Sequence, residues 1–122
     1  MKKEETIQNY LEAIHIVSLK QENVRAIDIV NYLNFSRPTV SIALRQLEND
    51  GYISLEGYNI VLSSKGLDIA LAMYERHEYI ARVLMKLGVN KKTAYEDYCL
   101  IEHDLSDESF EAIKNATKKM FN

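Results

Sequence analysis

Apolar residues recur near the start of the chain at steps of three and four. Ile7, Tyr10, Leu11, Ile14 and Val17 fall on one side of a helical turn, so the spacing predicts a helix from about Thr6 to about Leu19. Gln21 to Arg25 is polar and reads as a loop, and Ala26-Ile-Asp-Ile-Val-Asn-Tyr-Leu33 follows as a short amphipathic helix. Next comes Asn34-Phe-Ser-Arg-Pro-Thr-Val40. Ser36 suits an N-cap, and Pro38 suits a first turn, where its missing N–H costs little. The helix so opened continues to Leu47 and stops at Asn49-Asp-Gly51, with Gly51 as a left-handed cap.

The period then changes. Tyr52-Ile-Ser-Leu55 and Asn59-Ile-Val-Leu62 are strand-like runs joined by Glu56-Gly-Tyr58, which predicts a small hairpin. Ser63 or Ser64 can cap a helix running to about Leu87, where Gly88 ends it. Asn90 caps another helix, reaching about Asp104. Ser106-Asp-Glu opens a last one, with acids in the first turn, where the helix dipole favours them. The order is therefore helix, helix, turn, helix, hairpin, then three helices. This is a mainly α fold: an N-terminal winged helix-turn-helix followed by a helical unit.

That layout points to double-stranded DNA. Ser36, Arg37, Pro38, Thr39 and Ser41 lie at the N-terminal end of the second helix of the helix-turn-helix, the end that enters the major groove in this motif. Hydroxyls bond base edges or phosphates, and arginine pairs with a phosphate or a guanine edge. Arg45 lies further along, placed for the backbone, and Tyr58 and Asn59 mark the tip of the wing. Ile42 is apolar where a polar base reader is expected, and suits either a thymine methyl or simple packing. The chain of 122 residues has a net charge of −3, so DNA binding must rest on a local patch. Phe35 to Leu47 supplies one, because no acid interrupts it.

A second chemistry lies near the C-terminus, in Tyr98-Cys-Leu-Ile-Glu-His-Asp-Leu-Ser106. On a helix, Cys99, Glu102 and His103 share one face. Thiolate, carboxylate and imidazole are all ligands for a divalent transition metal. The same spacing equally suits a buried cysteine beside two surface polar groups. His77, Asn9, Glu12 and His15 are further candidates, although each by itself reads as solvated or packed. Cys99 is the only cysteine, so no internal disulfide forms, which agrees with a reducing compartment. No apolar run approaches bilayer length and the N-terminus has no signal-peptide core, so a cytoplasmic protein without membrane contact is expected. No nucleophile–base pair stands out, so an enzyme is not expected.

Taken together, Asn9-Tyr-Leu-Glu-Ala-Ile14, Ser36-Arg-Pro-Thr-Val-Ser41, Leu44-Arg-Gln-Leu-Glu-Asn-Asp-Gly51, Leu62-Ser-Ser-Lys-Gly66, Arg76-His-Glu78 and Ile101-Glu-His-Asp-Leu-Ser106 resemble the diphtheria toxin repressor family of iron- and manganese-dependent repressors. The resemblance covers nearly the whole chain. It implies a cytoplasmic homodimer on a palindromic operator. Residues 1–65 would form the winged helix, and residues 66–122 the helical metal-binding and dimerisation domain. It implies metal ligands at Asn9, Glu12, His77, Cys99, Glu102 and His103. Cys99 stands where iron-type members carry cysteine and manganese-type members carry glutamate. Asn9 stands where manganese-type members carry aspartate. Ala81 and Tyr95 stand where other members carry ligand residues. The chain read here ends before the SH3-like third domain of iron-type members, as in the short form. A thiolate–imidazole–carboxylate set is softer than an all-oxygen one, which favours iron(II), cobalt, nickel or zinc over manganese. With availability weighed as well, the expectation is iron(II), with manganese second and zinc third. The resemblance further implies that a cation holds the DNA-binding and dimerising halves at the spacing the operator needs. The alternative is a winged-helix DNA-binding or protein-interaction module that needs no metal.

Overall fold

The computed structural model describes residues 3–121 except 103 and 104, and it leaves the side chains at 3, 4, 99, 100 and 102 outside the description. Six α-helices, a two-stranded sheet and a terminal 3-10 turn are formed by the described residues. In chain order these are α1 (Lys3–Ser18), α2 (Ala26–Leu33), α3 (Arg37–Asn49), β1 (Ile53–Glu56), β2 (Asn59–Leu62), α4 (Ser64–Lys86), α5 (Lys91–Glu102) and α6 (Asp107–Thr117), then the turn Lys118–Phe121. The chain divides into two compact units, Met1–Met73 and Tyr74–Asn122.

In the first unit, α1 buries Tyr10, Leu11, Ile14 and Val17 of the apolar stripe read from the sequence, together with Ala13, while Ile7 of that stripe is partly buried. Val24 before α2, Ile29 of α2, Val40, Leu44 and Leu47 of α3, Ile53 and Ile60 of the hairpin, and Ala70 of α4 complete this core. Burying an aliphatic side chain of this size contributes about 2 kcal/mol, so these residues hold the helix-turn-helix against the wing. Helix α1 begins three residues before the predicted Thr6, because its first turn is polar and carries no periodic signal.

The turn between α2 and α3 is built by Asn34, in the left-handed region at φ 59°. Asparagine tolerates that conformation better than most residues. Ser36 caps α3 by accepting from the Thr39 N–H at 3.3 Å, and Pro38 occupies the first turn. Gly51, at φ 81°, turns the chain out of α3 into β1. The antiparallel register pairs Ile53 with Leu62 and Leu55 with Ile60. Gly57, at φ 66°, makes the tight connection. Alternation places Leu55 on the same face as Ile53, yet Leu55 is exposed while its cross-strand partner Ile60 is buried.

The wing is anchored at both ends. Asn59 Oδ1 accepts from the Val24 N–H at 2.8 Å, and the Ile60 N–H donates to the Val24 carbonyl at 2.8 Å. Ser63 Oγ donates to the carbonyls of Gly51 and Tyr52 and accepts from the Gly66 N–H at 3.1 Å. Lys65 Nζ donates to the Asp50 carbonyl beyond the end of α3 and lies 4.2 Å from the centre of the Tyr52 ring.

The second unit has its own core of Ile80, Ala81, Ala94, Tyr98 and Phe110. Asn90 and Ser106 cap α5 and α6, accepting from the N–H groups of Thr93 and Ser109. Tyr79 packs edge-on against Phe110 and donates to the Lys114 carbonyl at 3.1 Å. Arg76 donates to the Leu105 carbonyl at 2.7 Å and to Asp107 at 2.8 Å, tying the start of α6 to α4. Of the C-terminal apolar residues, Ile69 packs in the first core, while Leu71, Leu87 and Ile101 are exposed.

Candidate nucleic-acid face and metal centre

Helix α3 turns Val40, Leu44 and Leu47 into the core. At about 100° per residue the opposite side then carries Pro38, Ile42, Arg45 and Asn49, with Ser41 at one edge and Arg37 beyond it, nearer the core side. All of these are exposed. The first turn of α3 holds no acid. The positive end of the helix dipole and the two arginines therefore face solvent together. Ser36 and Thr39 are exposed as well, but their hydroxyls bond one another at 2.7 Å, so part of their capacity serves the cap. Asn59, a wing candidate, is directed at Val24 and holds the hairpin in place. Tyr58 projects from the tip at 83% exposure.

Between α3 and the wing runs a groove of about 460 Å³, bordered by Arg25, Ser41, Arg45, Leu55 and Tyr58. Arg25 is not singled out by the helix-turn-helix pattern. Its position immediately before the first helix of that motif is the signal that finds it. Two arginines line this groove, together with Glu48 and the apolar Ile27, Leu55 and Ile60. The arginines are the groups there that suit a phosphate backbone.

The metal candidates divide between the units. On α1, Asn9 and Glu12 are three residues apart and share a face. Asn9 is half-buried, and Glu12 is buried at 5% exposure. His15 is half-buried. On α4, His77 is 7% exposed, its ring lies against Tyr98, and its Nε2 is shut off from solvent. Cys99 and Glu102 lie three apart on α5, but their side chains, and all of His103, fall outside the described residues. Among the described residues no three His, Cys, Asp or Glu side chains converge on a point. The donor chemistry fits a divalent cation. A buried carboxylate and a buried imidazole nitrogen are groups whose desolvation a cation offsets.

At the other two positions singled out by resemblance, the structure shows packing and hydrogen bonding. Ala81 is fully buried in the second core. Tyr95 donates to Glu78 Oε2 at 3.0 Å and packs edge-on against Tyr98. Burial first, and then the bond to Glu78, raise the Tyr95 phenol above its ordinary pKa.

A winged helix followed by a helical unit, with arginines around the reading helix, defines a DNA-binding protein of the transcription-regulator class. The chain belongs to the iron-dependent repressor family, that of the diphtheria toxin repressor. Residues 3–61 match the family's N-terminal DNA-binding domain, and residues 63–120 its metal-binding and dimerisation domain. An HTH-type transcriptional regulator of Methanocaldococcus jannaschii is 33% identical over 90% of both chains. The regulator MntR of Geobacillus thermodenitrificans is 32% identical over 83% of this chain and 72% of its own length. The fold matches the manganese regulator SloR with a TM-score of 0.76 at 24% identity, over 92% of this chain. It matches a manganese-dependent transcriptional repressor complexed with manganese with a TM-score of 0.80 at 24% identity, over 93% of this chain. This chain spans about half the length of those two solved chains, 53% and 52%. No described helix is long and apolar enough to cross a membrane.

Proposed function

We propose that this chain represses transcription as a homodimer on operator DNA when a divalent cation is held by Asn9, Glu12, His77, Cys99, Glu102 and His103. The observation that carries this reading is the burial of Glu12 and His77, a carboxylate and an imidazole, in a chain whose family has a metal-binding and dimerisation domain. When bound, the cation supplies positive charge to offset the acids, and coordinate bonds to the helices that carry the ligands. Glu12, Glu102 and the Cys99 thiolate carry the negative charge, His77 and His103 donate ring nitrogen, and Asn9 donates a neutral oxygen. Drawing ligands from α1 as well as from α4 and α5 links the DNA-reading part, residues 1–65, to the dimerising part, residues 66–122. Two reading helices then meet half-sites about 34–36 Å apart, one turn of the duplex. This is a population shift toward the operator-binding form. The thiolate favours iron(II) over manganese, and availability rather than affinity sets iron(II) ahead of zinc.

The test is operator affinity under anaerobic conditions. Duplexes are selected from a random pool with iron(II)-loaded protein, and affinity is read by fluorescence anisotropy with and without chelator. Affinity falls at least tenfold on chelation, and Cys99→Ala or Glu102→Ala abolishes the metal response while the helical CD spectrum is kept. Equal affinity with and without chelator refutes the reading. Calorimetric titration with iron(II), manganese and zinc ranks the metals.

A further inference from the structure

We propose that Ile42 is a base-reading residue, whose side chain packs on the C5-methyl group of one thymine in each operator half-site. This rests on the DNA-binding reading above and deepens it. The sequence leaves two roles open for Ile42, thymine contact or packing. Ile42 is 66% exposed and lies almost diametrically opposite Val40, Leu44 and Leu47, so it does not serve the core.

The occupant follows from the DNA-binding reading. Ile42 is neighboured on α3 by Pro38, Thr39, Ser41, Ala43, Arg45 and Gln46. Arg45 beside it and Arg37 in the first turn suit a polyanion, and the apolar side chain suits a base edge that offers carbon. In the major groove thymine is the only base that presents a methyl group. Isoleucine has no hydrogen-bonding group, so its preference is for that methyl. Arg37 and Arg45 meet phosphates and fix the register that brings Ile42 to the base edge.

The experiment uses the full chain with metal bound and the duplexes selected above. Each thymine is replaced in turn by uracil, which lacks only the methyl group. One position per half-site is expected to lose affinity about fourfold, the effect of burying one methyl-sized group. Replacing both gives about fifteenfold. Ile42→Ala, at an exposed helical site that tolerates alanine, binds more weakly and equally on thymine and uracil duplexes. Arg45→Ala also binds more weakly but keeps the uracil effect. A uracil series without effect, or an unchanged uracil effect in Ile42→Ala, overturns the inference and leaves DNA binding standing. A selection that enriches no sequence with metal present overturns the DNA-binding reading itself, and this inference with it.

Discussion

Gly66→Ala sets two physical effects against each other, and the structure decides between them. Gly66 lies in the first turn of α4. On helix propensity alone, alanine there is more stable by about 1 kcal/mol. Yet a Cβ at Gly66 overlaps the carbonyl oxygen of Tyr52, comes 3.1 Å from its carbonyl carbon and 3.5 Å from Leu11 Cδ2. That carbonyl is main chain, and it is held at 3.0 Å by the Ser63 N–H and at 3.0 Å by the Ser63 hydroxyl. It cannot retreat without losing those bonds. Overpacking against fixed backbone costs about 3 kcal/mol, and a lost hydrogen bond about 1 more. The net is a destabilisation of about 3 kcal/mol, or roughly 10 °C in midpoint for a chain of this length. Thermal unfolding followed by helical CD measures it, with Asp68→Ala at an exposed site of the same helix as control. If Gly66→Ala melts at or above the wild-type temperature, the close approach of α4 to the hairpin is not as described, and the role assigned to this glycine fails.

Two further outcomes follow from the geometry. Arg45→Ala weakens binding by a similar factor on all duplexes and lowers the slope of log affinity against log salt by about one, the mark of a lost phosphate contact; an unchanged slope contradicts it. Tyr95→Phe removes the bond to Glu78 and lowers stability at neutral pH by about 1 kcal/mol. The folded state raises the Tyr95 pKa, so the wild-type advantage is full below about pH 10 and is lost as pH rises through the raised value. Urea unfolding of both proteins across that range checks the sign, and a difference independent of pH refutes it.

What was legible in the sequence follows from what periodicity encodes. The stripe from Ile7 to Val17 defines the buried face of α1, but its first turn, Lys3-Glu-Glu-Thr6, is polar and carries no periodic pattern to reveal it. Capping residues are read with equal success, because Ser36, Asn90 and Ser106 act within their own turns. Asn34 is harder to read. Its left-handed conformation is set by the angle between α2 and α3, a tertiary demand that propensity does not contain. The same holds for Gly66, whose small size is required by Tyr52, a residue of the connection between α3 and β1. Arg76 reads as half of a family motif, while its work of holding Leu105 and Asp107 depends on the return of the chain to α4. For the candidate metal centre, spacing puts Asn9 with Glu12 and Cys99 with Glu102, since one helix relates each pair. Joining pairs from different helices took resemblance and donor chemistry, because no helical period connects α1 to α5. Ile42 shows the complementary case. Periodicity assigns it to the outer face of α3 and its chemistry does not suit water; under the proposal above, the reason for an apolar side chain there is contact with a base edge, made after phosphates have fixed the register.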